Sequence, residues 1–420
     1  MPDKLYTTTD EKMPRAFLVG ADTGEYDAES SMKELEQLAE TAGVETAGVC
    51  IQKRPAYDSA TYIGSGRLEE LALQAEAADI DIFIFDGELT ANQTKNIEKI
   101  TDIRAIDRTT LILDIFAGRA VSAEGRLQVE LAQQKYRLAH LAGKGVEMSR
   151  LGGGIGTRGP GESKLETDRR HIRKRIETLT AELHELERRR EIRRKSRKKT
   201  EMLTAAIVGY TNAGKSTLLN ALTDASVLAE DKLFATLDLT TRGIELPDGR
   251  NILLTDTVGF ISRLPHNLVE AFKSTLEEAA ASDIIINVID ISSNDAAEQT
   301  RVTKELLKEL GCDGIPQINV LNKIDKLPDG ENIPEDGTTV KISAKNGTGF
   351  DRLLKCITEN LASDSTRGKF LIPYSKGSLL NLIRSEGKIF SEKYAENGTV
   401  VEAVVDNKIY YMLDEYRVTP

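Results

Sequence analysis

Eight residues, Gly209-Tyr-Thr-Asn-Ala-Gly-Lys-Ser216, restrict what this chain can fold into more than any other stretch. They fit Gly-x-x-x-x-Gly-Lys-[Ser/Thr]. The apolar run Thr204-Ala-Ala-Ile-Val208 precedes them and Thr217-Leu-Leu-Asn-Ala-Leu222 follows. A buried strand, a glycine turn and a helix are the context in which this pattern cradles phosphate. Gly209 and Gly214 let the backbone N–H groups of Tyr210, Thr211, Asn212 and Ala213 turn inward. The helix opening at Lys215, Ser216 and Thr217 adds the positive end of its dipole. Lys215 is expected to reach the β- and γ-phosphates, and the Ser216 hydroxyl to ligate Mg²⁺.

Further signals follow in the order that a guanine-nucleotide switch requires. Asn251-Ile-Leu-Leu-Thr-Asp256 reads as a strand running into Asp256-Thr257-Val258-Gly259. Asp256 would hold Mg²⁺ through water, and the Gly259 N–H would meet the γ-phosphate. Gln317-Ile-Asn-Val-Leu321 is another buried strand, ending in Asn322-Lys323-Ile324-Asp325. A carboxylate at Asp325 can accept from guanine N1–H and N2–H₂, donors that adenine does not offer there. Such an acceptor left unpaired can discriminate by roughly 10⁴-fold. Lys323 would lie along the base, and Ser343-Ala344-Lys345 would give a backbone N–H to guanine O6. A P-loop kinase or ATPase has no use for Asn-Lys-x-Asp.

Between the first two motifs lies Leu233-Phe234-Ala235-Thr236-Leu237-Asp238-Leu239-Thr240-Thr241-Arg242, the expected first switch. Thr236 is the preferred threonine for Mg²⁺ when γ-phosphate is present, with Thr240 and Thr241 as rivals. Ser216, Thr236 and Asp256 thus form the expected metal set, and Lys215, Thr236 and Gly259 the groups at the reacting phosphate. Phe260 follows Gly259, where many signalling GTPases place a water-orienting glutamine. Phenylalanine cannot do that, so GTP hydrolysis to GDP and phosphate is expected to be slow until a partner assists. Asn212 either helps hold a monovalent cation such as K⁺ against the phosphates or only caps a turn.

Around this centre the chain reads as α/β in four parts: a small N-terminal α/β domain (1–120), an antiparallel helical hairpin (121–200), a P-loop GTPase domain (201–364) and a small α+β C-terminal domain (365–420). In the first, apolar runs at Ala16–Val19, Thr46–Ile51, Ile80–Phe85 and Ile103–Ile106 alternate with helical patterns at Ser31–Thr41, Leu68–Ala78 and Ala91–Ile100. That alternation predicts a mostly parallel sheet. Thr61-Tyr-Ile-Gly-Ser-Gly-Arg67 is read as a helix-entry turn. A second nucleotide site there is the weaker alternative, because a further spaced glycine and the Lys-Ser/Thr are missing. In the hairpin, Leu127, Leu131, Leu138 and Leu141 mark one stripe. Ile172, Ile176, Leu179, Leu183 and Leu186 mark the other, at heptad spacing. The joining run 151–162 is glycine-rich, carries Arg158 and is flanked by Arg150 and Lys164. It is a flexible connector or, preferred, a contact loop. In the C-terminal part a helix at Lys376–Glu386 and strands at Gly398–Val405 and Lys408–Met412 are expected.

Charge separates the parts more sharply than the total of −11 suggests. Residues 169–199 carry 14 Lys or Arg against 5 Asp or Glu. A concentrated basic stretch on an acidic protein, densest at Arg188–Lys199, argues for a localised polyanion contact rather than general nucleic-acid affinity. No run approaches the roughly 18 apolar residues of a membrane span, and residues 1–14 lack an apolar signal core. Three well-separated cysteines, Cys50, Cys312 and Cys356, fit the reduced core of a cytoplasmic protein.

Together these residues resemble the HflX family of ribosome-associated GTPases. The resemblance spans nearly the whole chain. Its most specific pieces are Gly152-Gly-Gly-Ile-Gly-Thr-Arg-Gly-Pro-Gly-Glu162 with Leu165-Glu-Thr-Asp-Arg-Arg170, and the switch Phe234-Ala-Thr-Leu-Asp238. Tyr62–Leu71, Ile106–Phe116 and Gln128–Gln133 match as well. Leu239 departs from the family's usual proline, which touches the stiffness of the switch. The resemblance implies a cytoplasmic GTPase, expected to be monomeric, that binds the large ribosomal subunit through the basic helix 169–199 and the glycine-rich loop 151–162, and that splits or rescues stalled or idle ribosomes. The alternatives are a GTPase gating a non-ribosomal RNA-processing activity and a membrane-linked signalling GTPase. The second is disfavoured because no span, lipid anchor or basic amphipathic surface helix is present.

Overall fold

A computed structural model describes residues 13–150, 160–199, 202–223, 233–234, 237, 239–263, 268, 278–328, 336–361 and 365–418. The chain forms two compact units. The first is Met1–Lys195 with Leu228–Asp238 and Val258–Leu276; the second is Ser196–Val227, Leu239–Thr257 and Glu277–Pro420.

In the first unit β1 (Arg15–Asp22), β2 (Glu45–Lys53), β3 (Ile82–Phe85) and β4 (Arg104–Asp107) make an all-parallel sheet in the order β2-β1-β3-β4. The period-2 rule sends Ala16 and Leu18 to one face, and Phe17, Val19 and Ala21 to the other. Both faces are covered by α1 (Ala28–Thr41), α2 (Ser65–Ala77), α3 (Ala91–Thr101) and α4 (Arg108–Arg119). Local chemistry starts these helices: Asp27 caps α1, and Thr90 with Gln93 forms a capping box on α3. Helix α4 was not expected from the sequence. Its Leu111, Ile112, Leu113, Ile115 and Phe116 are all buried, and only the narrow stripe of Asp114, Ala117 and Gly118 is exposed, so the apolar run is too wide to mark one face.

The hairpin belongs to the same unit. Helix α5 (Ala123–Arg150) and helix α6 (Pro160–Lys199) pack through Leu131, Leu179 and Leu183, with Leu127 and Ile176 beside them. Arg175 grips Glu130 through two bonds of 2.7 Å, and Arg190 pairs with Glu124 at 2.8 Å. The order of these contacts is antiparallel, as the stripes predicted. The glycine-rich residues 151–159 lie outside the described residues.

In the second unit six strands lie in the order β10-β9-β8-β5-β7-β6: β5 (Leu203–Gly209), β6 (Thr240–Glu245), β7 (Asn251–Asp256), β8 (Ile284–Asp290), β9 (Gln317–Asn322) and β10 (Thr339–Lys341). All run parallel except β6, which is antiparallel to β7. Helices α7 (Lys215–Thr223), α8 (Ala296–Glu309) and α9 (Phe350–Asn360) accompany them. Central strands β5 and β8 are almost continuously buried, which is why they read as unbroken apolar runs.

The C-terminal part has the expected helix after Lys376 and strand from Gly398, and differs from expectation in one predicted element. Strands β11 (Ser365–Ile372), β12 (Lys388–Ala395) and β13 (Gly398–Asp406) form an antiparallel sheet in the order β11-β13-β12, with α10 (Gly377–Glu386) and α11 (Asn407–Met412). Lys408–Met412, expected as a strand, is helical. The physical reason is the four-residue spacing of Ile409 and Leu413, which a helix brings to one face; both are buried in the local core.

Candidate functional site

The phosphate loop follows from β5 ending at the middle of the sheet. Gly209 has φ 146°, and a Cβ there would come within 2.2 Å of the Val288 carbonyl oxygen. Gly214 has φ 95°, and its Cβ would meet the Asn322 side-chain amide at 2.3 Å. Neither position admits a side chain. Asn212 between them is left-handed as well, at φ 59°. Three left-handed positions in six residues give the sharply turned backbone from which an anion nest can be built, and the Ala213 N–H closes a tight turn onto the Tyr210 carbonyl at 3.2 Å.

Lys215 opens α7 and is buried; its Nζ donates to the carbonyls of Gly209 at 3.1 Å and Tyr210 at 2.8 Å. Burial brings its ammonium down to about 8, opposed in part by Asp256. Next to it, the Ser216 hydroxyl donates to Asp256 Oδ2 at 2.6 Å. A hydroxyl and a carboxylate so juxtaposed are the hard oxygen donors that suit Mg²⁺. Thr257 is turned away and locks the strand end, its Oγ1 donating to the Ile207 carbonyl at 2.8 Å.

The base-recognition end is tied to this loop by one side chain. Asn322 Nδ2 donates to the Ala213 carbonyl at 2.8 Å, and Asn322 Oδ1 accepts from the Ala344 N–H at 2.9 Å. Ile324 and Asp325 lie on a short turn of helix after Lys323. Asp325 is exposed, and the Ser343 hydroxyl bonds its Oδ1 at 2.6 Å. That bond holds the carboxyl below its ordinary value, keeping it ionised as an acceptor. Lys323 sits at φ 66° and pairs with Asp290 at 2.7 Å. The sequence reading did not include Asp290, although its place at the end of β8 was a usable signal. Lys345 is exposed on the same loop as Ser343 and Ala344.

Not every expected residue joins this group. Thr236, Ala235 and Asp238 lie outside the described residues, so the choice of Thr236 over Thr240 and Thr241 stays an expectation. Thr240 and Thr241 begin β6. Phe234 and Leu237 are buried in the apolar core of the first unit, where Phe234 meets Phe116 edge-on at 4.6 Å. Val258 is buried in that core too, and Phe260 is also buried.

With this geometry in hand, comparison with known proteins is decisive. Residues 29–117 match the family described as GTP-binding GTPase N-terminal, 119–197 the GTP-binding GTPase middle region, and 204–323 the 50S ribosome-binding GTPase. The GTPase HflX of Caldanaerobacter subterraneus subsp. tengcongensis is 52% identical over 398 residues, covering 94% of this chain and 92% of that one. This chain belongs to the HflX family of GTPases. A second HflX, from Lacrimispora saccharolytica, is 49% identical with 95% of each chain covered. The HflX of Escherichia coli is 41% identical with 88% of each covered. Among solved structures, a GTP-binding protein from Sulfolobus solfataricus in complex with GDP is 26% identical, covering 83% of this chain and 99% of that one at a TM-score of 0.44. As an HflX GTPase, the chain hydrolyses GTP.

Proposed function

We propose that this HflX GTPase works on the large ribosomal subunit, binding through the basic helix 169–199 and the loop 151–162 and splitting or rescuing stalled or idle ribosomes. The observation that carries the nucleotide half is the single frame made by Asn322, which links the phosphate loop to the Ser343–Lys345 loop beside Asp325. In this reading Lys215 and the N–H groups of 209–217 hold the phosphates, Asp325 and Ala344 read guanine, and Lys323 flanks the base. Gly259 meets the γ-phosphate. Ser216 and Asp256 would hold Mg²⁺, joined by Thr236. The metal would neutralise charge developing on the phosphates as the terminal bond breaks. K⁺ beside Asn212 is a further part of the proposal.

The ribosomal half is supported by the match of 204–323 to a 50S ribosome-binding family and by the surplus of nine positive charges over 169–199. Folded RNA is read largely through phosphate and shape, which a basic helix meets without base-specific groups. We further propose the division into an N-terminal α/β domain (1–120), a helical hairpin for RNA contact (121–200), a GTPase domain (201–364) and a small C-terminal domain (365–420), in a monomeric cytoplasmic protein. Among the described residues, no helix is long and apolar enough to cross a membrane. Co-sedimentation with isolated large subunits, against free RNA of equal mass, tests the reading. GTP-dependent pelleting with subunits is expected; equal binding to free RNA would favour a non-ribosomal RNA-processing role instead.

A further inference from the structure

The parallel sheet of the first unit has a topological switch point between β1 and β3, where the chain leaves one side of β1 and returns on the other. Crevices at the carboxyl ends of such strands are where α/β sheets bind ligands. Here that crevice is built around Asp86, the residue directly after β3, which is 1% exposed. Its N–H donates to the Val19 carbonyl on β1 at 2.9 Å.

The crevice holds a guanidinium. Arg263, four residues after Gly259, donates from Nη1 to Asp86 Oδ2 at 2.7 Å and to Ser31 Oγ at 2.9 Å. Its Nη2 donates to the Asp86 carbonyl at 3.0 Å, and its Cζ lies 4.0 Å from the centre of the Tyr26 ring. Arg263 itself has φ 53°. A side chain other than glycine persists in that region only where its surroundings over-determine it. On the other oxygen of Asp86, Arg108 Nη1 donates at 2.8 Å, and Arg108 also pairs with Glu34 and reaches the Ser262 carbonyl at 3.3 Å. The flanking Val258, Phe260 and Ile261 are 5%, 2% and 0% exposed.

We propose that the switch-point crevice of the N-terminal sheet is a guanidinium-binding site whose ligand is Arg263, and that it competes with the γ-phosphate for the segment 258–263. This rests on the reading of Gly259 as the γ-phosphate contact. The segment has two wells rather than a continuum of positions. Three buried apolar side chains and a forked arginine define one position of the segment, and packed cores shift between discrete arrangements instead of stretching. A phosphate that draws in the Gly259 N–H does so against this packing. By linkage, weakening the arginine latch strengthens binding of the triphosphate and leaves the diphosphate almost untouched.

Arg263→Ala is a clean perturbation, because Arg108 and Ser31 stay bonded to Asp86. Arg263→Lys keeps the charge but loses the fork, and Tyr26→Leu removes the ring from the other side. Full-length wild type and the three variants are titrated with GDP and with the β,γ-imido analogue of GTP. Arg263→Ala is expected to raise the analogue-to-GDP affinity ratio about tenfold, the scale of a charge-assisted hydrogen bond. Tyr26→Leu should move it less in the same direction, and Arg263→Lys should restore part of the wild-type ratio. A ratio that stays at the wild-type value in Arg263→Ala, or moves toward GDP, overturns the latch while the nucleotide site stands. A wild type that binds neither nucleotide overturns both.

Discussion

Lys215 makes the nucleotide site a proton-linked one. Its ammonium is buried and lowered to about 8, so in the nucleotide-free chain it loses its proton as pH rises past that value. Phosphate oxygens around Nζ would favour the charged form and raise the pKa again. GTP binding at pH 9 is therefore expected to take up close to one proton, against about a tenth of one at pH 7. From pH 8 to 9 the affinity should fall by about fivefold, and the slope should approach about tenfold per unit above that. The sign for stability is opposite. The unfolded chain, with an ordinary lysine, binds more protons between about pH 8 and 10, so this group makes the nucleotide-free fold more stable as pH rises through that window. GTP's terminal phosphate ionises well below pH 9 and adds nothing there. The assay is titration calorimetry at pH 9 in two buffers of different ionisation enthalpy, with Lys215→Arg as the control whose guanidinium cannot titrate. Equal heats in both buffers for the wild type would refute the reasoning, as would unchanged proton uptake in Lys215→Arg.

Asp325→Asn should weaken GTP binding and improve xanthosine triphosphate binding, since xanthine offers the complementary acceptor; unchanged GTP affinity would remove Asp325 from the site. Because Phe260 cannot orient water, basal turnover should be slow and should rise strongly with large subunits, and K⁺ should outperform Na⁺ if Asn212 helps to hold a cation. Steady-state phosphate release in the two salts checks both points. Replacing Arg188, Arg189, Arg190, Arg193 and Arg194 by Gln should weaken subunit binding and flatten the log-affinity against log-salt slope by about two to three. The expected change is smaller than five because Arg189 and Arg190 already pair with Glu185 and Glu124. A wild-type slope would make the cluster an ordinary solvated face.

What the sequence made legible was whatever is local and periodic. Strands β5 and β8 announce themselves because burial on both faces needs nearly continuous apolar runs. The hairpin does so because a heptad stripe has one geometric solution. The phosphate loop is legible for a stricter reason, since Gly209 and Gly214 face a backbone oxygen and an amide at distances that no Cβ tolerates. Tertiary context decided the rest. Helix α4 is buried over most of its circumference and exposes only the stripe of Asp114, Ala117 and Gly118, so its apolar run is nearly continuous, and the clearest local hint was Asp107 capping it. Tyr410 and Tyr411 favour a strand by propensity, but the core claims Ile409 and Leu413 together. Edge strand β12, with Lys388, Glu392 and Lys393 in eight residues, lacks the alternation by which strands are found. The Asp86–Arg263 pair joins residues 177 apart, and no spacing rule reaches that far.

The two bonds of Asn322 have one more consequence. With its amide nitrogen on the Ala213 carbonyl and its amide oxygen on the Ala344 N–H, this side chain fixes the span from the phosphate loop to the 343–345 turn. It is a gauge block: a small rigid spacer between the jaws that would close on the two ends of a nucleotide. A molecule is then measured by length as well as by its hydrogen-bonding edges. Guanine carried on a longer or shorter tether than ribose would reach one jaw only, however well its base fits. Shortening the spacer itself, as Asn322→Ser would, should loosen the measurement while leaving each jaw's own chemistry in place.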